Sequence, residues 1–379
     1  MKKKIIIHNG NIGIGGQEKM LIQFLNILSP EKYEVLLLIE EDKGIENAYL
    51  TDIPKWVQYE FLTTEKFMSQ LEKYKRNKNI IRKLMYSIYL TLKKRIAIKK
   101  TMKFLSYSDI IIDYDMGLLR KLHKLKLDNK VIVGWSHAGQ GQLPSNSKKR
   151  KNLEKYDYIV TINEEMKKGY ERNTKHPKIL KIYNFMDFKE ILAKSNAKII
   201  DNYNSYILNI GSLTENKNQR LLIRAFANLK KNYDIAEKLI LIGEGKEKQQ
   251  LLKLINELNM EEEIFLLGQK KNPYKYIKNS LLYVICSKNE GLPLTCIEAL
   301  ALGKMVIATN TNGTREILEN SKYGKIIEKD SIESLEKNLY FYIKNKDARE
   351  EYENNALKRA EVFKKEKARK VIEEFMDRL

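Results

Sequence analysis

The chain has 379 residues, of which 43% are apolar and 31% charged. At roughly 100–200 residues per domain this length points to two or three domains with sizeable cores and argues against disorder. Lys and Arg number 70 against 49 Asp and Glu, a net charge of +21 that favours anionic partners: phosphates, nucleic acid or an acidic membrane surface. Two cysteines, Cys286 and Cys296, are too few for a disulfide scaffold and read as core thiols of an intracellular, reduced protein. No window of about 18 consecutive apolar residues offers a membrane-spanning helix.

The first apolar run follows Lys2, Lys3 and Lys4 and stops at Ile7, too short for the core of a signal peptide. Residues 5–7 are β-branched and lead into Gly10, Gly13, Gly15 and Gly16. Met20, Leu21, Phe24, Leu25 and Leu28 then share one helical face, which predicts a strand, a glycine loop and a helix. Further apolar strands are expected at residues 35–39, 110–112, 131–133, 158–162 and 179–182. Residues 65–105 stand apart, with 13 Lys or Arg and 2 Glu, about half of the net charge. There Ile81, Leu84, Met85, Ile88, Leu92 and Ile96 form one face, flanked by Arg82, Lys83, Lys93, Lys94, Arg95 and Lys100. This is a basic amphipathic helix, whose stripe either packs on its own domain or docks on an anionic bilayer. Nucleic acid is not expected as a partner, because no zinc-finger spacing or RNA-recognition aromatic motif is present.

A polar stretch, about residues 187–205, separates this series from a second one. Strands are expected there at 206–210, 239–242, 264–267, 282–285 and 305–308, each followed by loop and helix signals. From about residue 331 the chain is helical and highly charged. Continuous apolar strands alternating with helices imply parallel sheets covered on both faces. The expected fold is therefore α/β, with two Rossmann-like doubly wound domains facing across a cleft. The first spans residues 1–187 and the second 188–355. Residues 356–379 form a C-terminal helix free to pack back on the first domain. Ligands of such sheets bind outside the carboxyl ends of the strands.

Three strand-end loops carry candidate chemistry. Gly15 and Gly16 let backbone N–H groups approach an anion at a helix start, although a tight turn without ligand fits equally well. Their spacing is not that of a dinucleotide fingerprint. Gly211-Ser212-Leu213-Thr214-Glu215-Asn216-Lys217 places a lysine just before a helix, where it suits a phosphate or is simply a solvated loop lysine. Glu290 and Glu298 flank Gly291-Leu292-Pro293-Leu294 at a strand-to-helix turn. Singly each is a cap or a surface charge; as a pair behind a buried strand they suit sugar hydroxyls. Asp113-Tyr114-Asp115 has the spacing of a metal-binding acidic pair, but it closes a strand of the first domain and reads as a loop pair, with acceptor binding as the lesser alternative and metal binding behind it. His8 also ends a strand, while His123 and His176 read as surface residues.

On these motifs the chain resembles the retaining, GT-B-fold glycosyltransferases of family 4, the glycosyl transferases group 1 type. Glu290 and Glu298 match the E-x7-E signature, and Gly211, Leu213 and Lys217 match the G-x-L-x-x-x-K loop. Gly243-Glu244-Gly245 stands where the family has a G-D/E-G turn, Tyr183-Asn184-Phe185-Met186-Asp187 resembles its interdomain N-G-V-D segment, and Gly313 and Glu316 resemble its later G-G-x-x-E loop. Two departures are Ser212, where many members carry a phosphate-binding Arg, and Asn163, where Ser is usual.

The resemblance implies a metal-independent, hexosyltransferase-type enzyme that transfers a sugar with retention from a nucleotide-sugar donor, most often a UDP-sugar, to a glycan acceptor. Lys217 would neutralise the diphosphate, beside Gly15, Gly16, Gly211, Ser212 and Gly243. Glu298 would bind the ribose, Glu290 and the backbone of residues 291–294 the donor sugar, and His137 the region of the reacting carbon. No cofactor and no metal are expected. With Lys93, Lys94 and Arg95 on a basic helix, the expected acceptor is lipid-linked. The expected setting is capsule, exopolysaccharide or other cell-surface glycan synthesis in a bacterium, with the protein cytoplasmic and peripheral at the inner face of the membrane. The alternative reading is a non-catalytic GT-B subunit supporting a partner enzyme.

Overall fold

The computed structural model describes residues 2–75, 79–106, 108–125, 127–137, 151–199 and 203–379. Residues 76–78 of the basic segment lie outside the described residues. The chain divides into two compact units, residues 1–182 with 369–379, and residues 183–368.

The first unit is built on seven parallel strands: β1 (Lys3–Asn9), β2 (Tyr33–Glu41), β3 (Gln58–Thr63), β4 (Ile110–Asp113), β5 (Val131–Ser136), β6 (Tyr158–Thr161) and β7 (Lys178–Lys181). Their order is β3-β2-β1-β4-β5-β6-β7, so the direction of winding reverses between β1 and β4. His8 on β1 stands in register with Asp113 on β4. The all-apolar segments become fully covered strands: Ile5, Ile6 and Ile7 are 1%, 3% and 0% exposed. Burying such an aliphatic side chain contributes about 1.5–3 kcal/mol.

β3 is a strand that the apolar pattern did not signal. It is an edge strand, and its first three residues, Gln58, Tyr59 and Glu60, are exposed. The basic segment forms helices Glu65–Lys75 and Ile80–Leu105. The second turns Ala97, Thr101 and Leu105 inward. Its stripe of Ile81, Leu84, Ile88 and Leu92 is left exposed.

The second unit has six parallel strands: β8 (Tyr206–Ile210), β9 (Lys238–Ile242), β10 (Ile264–Leu266), β11 (Leu282–Ile285), β12 (Val306–Thr309) and β13 (Lys325–Ile327). The order is β10-β9-β8-β11-β12-β13, reversing between β8 and β11. β13, only three residues long, also escaped the apolar pattern. The stretch 187–205, expected to be only a polar connection, begins with the helix Phe188–Ser195. Asp187 caps it by accepting from the Glu190 N–H at 3.1 Å.

Arg359 ties the helix Lys346–Ala360 to this unit. It is 7% exposed, and its guanidinium donates to the Ile317 and Glu316 carbonyls and to the Glu319 carboxylate, each at 2.7 Å. It also lies over the Tyr323 and Phe363 rings. Arg359→Ala leaves these acceptors unpaired and is expected to cost about 3 kcal/mol, or roughly 6–12 °C in melting temperature. A calorimetric shift under about 2 °C would refute that role.

Candidate active site

In the second unit the glycine loops knit the carboxyl ends of neighbouring strands together. The Gly211 N–H donates to the Ile242 carbonyl at 3.0 Å, the Leu213 N–H to Glu244 at 2.9 Å, and the Gly243 N–H to Gly268 at 3.0 Å. A Cβ on Gly243 would stand 1.9 Å from the Gly211 carbonyl oxygen, so that only glycine lets the two loops close. The stem of Lys217 lies over Gly211, 3.6 Å from where a Cβ would be.

This brings Lys217 to Glu290. The ammonium Nζ is 2.6 Å from Glu290 Oε1, and the Ser287 hydroxyl donates to the same oxygen at 2.5 Å. Both side chains of the ion pair are largely covered, at 27% and 11% exposure. A charge-assisted contact of this kind contributes about 1.5–3 kcal/mol when screened from water. Ser287 did not stand out in the sequence, because a serine three residues before a glutamate has no periodic signature.

Gly291 is pinned by Gly313, whose N–H donates to the Glu290 carbonyl at 3.2 Å. A Cβ on Gly313 would stand 2.6 Å from the Gly291 oxygen. Glu298 sits inside the helix Leu294–Ala301, 4% exposed, and Tyr274 donates to its Oε1 at 3.5 Å. Leu292, Pro293 and Leu294 form the turn between the two glutamates, with Pro293 at the helix start. Ser212 is exposed in its loop. The Tyr183 hydroxyl donates to Glu316 at 2.5 Å, which fixes the later loop. Cys286 and Cys296 are buried, and burial pushes both thiols up, consistent with core roles rather than nucleophiles.

In the first unit a cavity of about 820 Å³ opens at the carboxyl ends of β1, β4 and β5, lined in part by Gln17, Glu40, Asp115, Ser136 and His137. Gly15 and Gly16 start the helix Gly16–Leu25 beside it. His137 is held against the Tyr114 ring, centroids 4.7 Å apart, and is stacked near Trp135. Burial pushes its imidazole down to about 3, so it is neutral near pH 7.

Behind the cavity His8 is fully buried. Nδ1 is 3.3 Å from Asp113 and 3.5 Å from Asp115, and Nε2 is 3.4 Å from Glu40. Burial opposes charge on His8, but the three carboxylates outweigh it and raise its pKa well above 6.5. Burial likewise works against the Glu40 carboxylate, and His8 and Lys121 reverse the effect, holding it well below the usual range. Lys93, expected on a membrane face, turns inward to pair with Glu41; it lines the cavity together with the exposed Lys94, while Arg95 is exposed. Among the described residues His8, Asp113 and Asp115 have metal-ligand spacing. Asp113, however, already accepts from the Leu118 N–H and from Tyr156.

Residues 191–359 match the family described as Glycosyl transferases group 1. Over 187 residues the chain is 37% identical to the N-acetylgalactosamine-N,N'-diacetylbacillosaminyl-diphospho-undecaprenol 4-alpha-N-acetylgalactosaminyltransferase of Campylobacter jejuni, a match covering 49% of this chain and 50% of that relative. It is 33% identical to an uncharacterized glycosyltransferase of Methanocaldococcus jannaschii over 302 residues, 73% of this chain and 72% of the relative. The fold matches that of Anabaena HepE in complex with UDP-glucose, with a TM-score of 0.77 at 17% identity, covering 99% of this chain and 100% of that one. The two doubly wound sheets agree with the fold likeness, and the relative matched over 302 residues shows the family: the chain belongs to the glycosyl transferases group 1 family, with the GT-B fold.

Proposed function

We propose that the protein is a retaining glycosyltransferase that moves a sugar from a nucleoside-diphosphate sugar, a UDP-sugar first among them, to a lipid-linked glycan acceptor in cell-surface polysaccharide synthesis. The observation that carries this reading is the Lys217–Glu290–Ser287 cluster at the reversal point of the second sheet. Such a point is where doubly wound sheets bind nucleotides.

The chemistry follows from the charges. Breaking the bond between the anomeric carbon and the phosphate oxygen leaves a nucleoside diphosphate with an additional negative charge. Lys217 lies where it stabilises that charge as it develops, in a site partly screened from water. Ser212 brings no charge, so the ammonium and the loop amides carry the diphosphate. Glu290, held by Ser287, accepts hydrogen bonds from donor sugar hydroxyls once Lys217 turns to the phosphate. Glu298, held by Tyr274, serves the ribose. The acceptor hydroxyl attacks on the face the phosphate leaves and passes its proton to that phosphate, which retains the anomeric configuration without a protein nucleophile. This route needs no metal.

Thermal stabilisation against a panel of nucleotides tests the donor reading. A ligand bound only by the folded state adds about 2.7 kcal/mol at 100 times its dissociation constant. Proton NMR of the product anomer tests retention. A β-linked product from an α-linked donor would overturn it.

The exposed stripe supports a peripheral place on an anionic membrane: Ile81 is 69%, Leu84 61% and Ile88 43% exposed, beside the exposed Lys94 and Arg95. No described helix is long and apolar enough to span a bilayer. Each basic residue near an anionic surface contributes about 1 kcal/mol. Lys94→Glu with Arg95→Glu is therefore expected to weaken binding to phosphatidylglycerol vesicles by at least about 30-fold. Unchanged sedimentation with vesicles would reject this surface.

A further inference from the structure

We propose that Asp115 is the carboxylate that binds hydroxyls of the acceptor sugar, and that His8 is its positioning residue. This rests on the glycosyltransferase reading above and assigns its acceptor side.

The first sheet reverses between β1 and β4, and His8 and Asp113 stand in register on those two strands. A crevice at such a reversal is where this kind of sheet takes a ligand. Three carboxylates surround His8, and they differ in what else they bind. Asp113 is saturated, with the Leu118 N–H at 3.1 and 3.0 Å on its two oxygens and the Tyr156 hydroxyl at 2.6 Å. Glu40 is paired with Lys121 at 2.5 Å. Asp115 accepts the Gly117 N–H on Oδ1 at 2.8 Å, on the same oxygen that faces His8. Among the described residues nothing donates to its Oδ2. The side chain is 19% exposed and lines the 820 Å³ cavity.

Glycines hold this geometry. A Cβ on Gly10 would stand 2.7 Å from Asp115 Oδ2, and one on Gly117 would stand 2.7 Å from Oδ1 and 3.0 Å from His8 Cε1. The carboxylate is thus clamped on one oxygen and open on the other.

A second, independent observation points to a ligand. Both ring nitrogens of His137 lack exposed surface and have no hydrogen-bond partner among the described residues, and His137 lines the same cavity. The half-satisfied carboxylate, with the Gln17 amide and the Ser136 and Tyr170 hydroxyls around it and the His137 ring on the same lining, offers both donors and acceptors. A polyol uses both at Asp115, and Lys94, Arg120 and Lys124 on the same lining suit a phosphate carried with it. The carboxylate at the reversal of the second sheet is assigned to the donor sugar, which leaves this one for the acceptor.

The test uses undecaprenyl diphosphate carrying an N-acetylgalactosamine-terminated disaccharide as the acceptor probe, with the donor identified in the nucleotide screen. Asp115→Asn keeps the volume and the Gly117 contact. It is expected to lower kcat/KM for the acceptor by about 10- to 100-fold, while the donor KM and the slow acceptor-free release of nucleoside diphosphate stay within about twofold of the wild type. Deoxy analogues of the terminal sugar give the sharper readout. One of them should lose as much with the wild-type enzyme as Asp115→Asn does, and lose nothing further with that variant. His8→Gln should shift the same parameters in the same direction and by less, with donor release unchanged.

Acceptor kcat/KM within about threefold of the wild type for Asp115→Asn overturns the proposal. So does an equal fall in acceptor-free donor release, which would place Asp115 on the donor side. Dependence of activity on added Mn²⁺ that disappears with Asp115→Asn would make the cluster a cation site instead. A wild-type enzyme that binds the nucleotide but transfers nothing to the probe removes the acceptor reading on which Asp115 depends. One that binds no nucleotide removes the glycosyltransferase reading itself.

Discussion

Replacing Lys217 by alanine should lower kcat by about 100- to 1,000-fold, the usual loss when one preorganised group facing a developing oxyanion is removed. The ammonium lies 2.6 Å from Glu290 and is the one cation in residues 211–218, since Ser212 stands where an arginine would share the work. The effect should extend to ground-state binding. A nucleoside diphosphate that stabilises the wild type should lose most of its thermal shift with the variant, whereas a nucleoside without phosphates should be indifferent to the change. Unliganded stability should fall by only about 1 kcal/mol, because Ser287 still donates to Glu290 and partly offsets the lost pairing. Lys217→Arg should restore only part of the activity, because a planar guanidinium does not follow the stem's path over Gly211. Activity of Lys217→Ala within tenfold of the wild type would remove the lysine from the charge-stabilising role.

Gly243→Ala should be as damaging by another route. The residue sits at φ +154, and its missing Cβ would approach the Gly211 carbonyl oxygen to 1.9 Å. Neither backbone can retreat freely, since the Gly243 N–H is bonded to Gly268 and the Gly211 N–H to Ile242. The clash and the unfavourable φ together should cost about 3–5 kcal/mol, at the upper end for single substitutions. The surviving folded protein should lose about 100-fold in activity, because a shift of about 1 Å in the loop carrying Lys217 misplaces the charge. The control is Gly211→Ala. There the new Cβ meets only the stem of Lys217 at 3.6 Å, and stability should change by less than about 1 kcal/mol. Equal melting temperatures for the two variants would contradict this account of the loop.

Much of this molecule was open to reading in the amino-acid order. Apolar runs such as residues 5–7, 206–210 and 282–285 are strands because a parallel strand is covered on both faces and tolerates few polar residues. Glu290 and Lys217 in strand-to-helix loops, and Glu298 just inside the helix after Glu290, stand out because ligands of such sheets bind beyond the carboxyl ends of the strands. β3 and β13 escaped for the opposite reasons. β3 is an edge strand whose exposed Gln58 and Glu60 break the apolar run, and β13 is an edge strand of three residues that opens with Lys325. The basic helix was legible as amphipathic, but not the direction of its stripe, because periodicity defines a face without saying what covers it.

What only the tertiary structure decided is adjacency across the strand-order reversals. Lys217 follows β8 and Glu290 follows β11, 73 residues apart, and they meet because β8 and β11 are neighbours at the reversal of the second sheet. In the same way His8 on β1 comes to face Asp113 at the end of β4 and Asp115 just beyond it, which turned an acidic loop pair into a clamped carboxylate beside a cavity. Local sequence encodes which segments become strands and what their ends carry. Strand order is set by how the helices between them pack over the sheet, a sum of many weak long-range contacts that no single motif records.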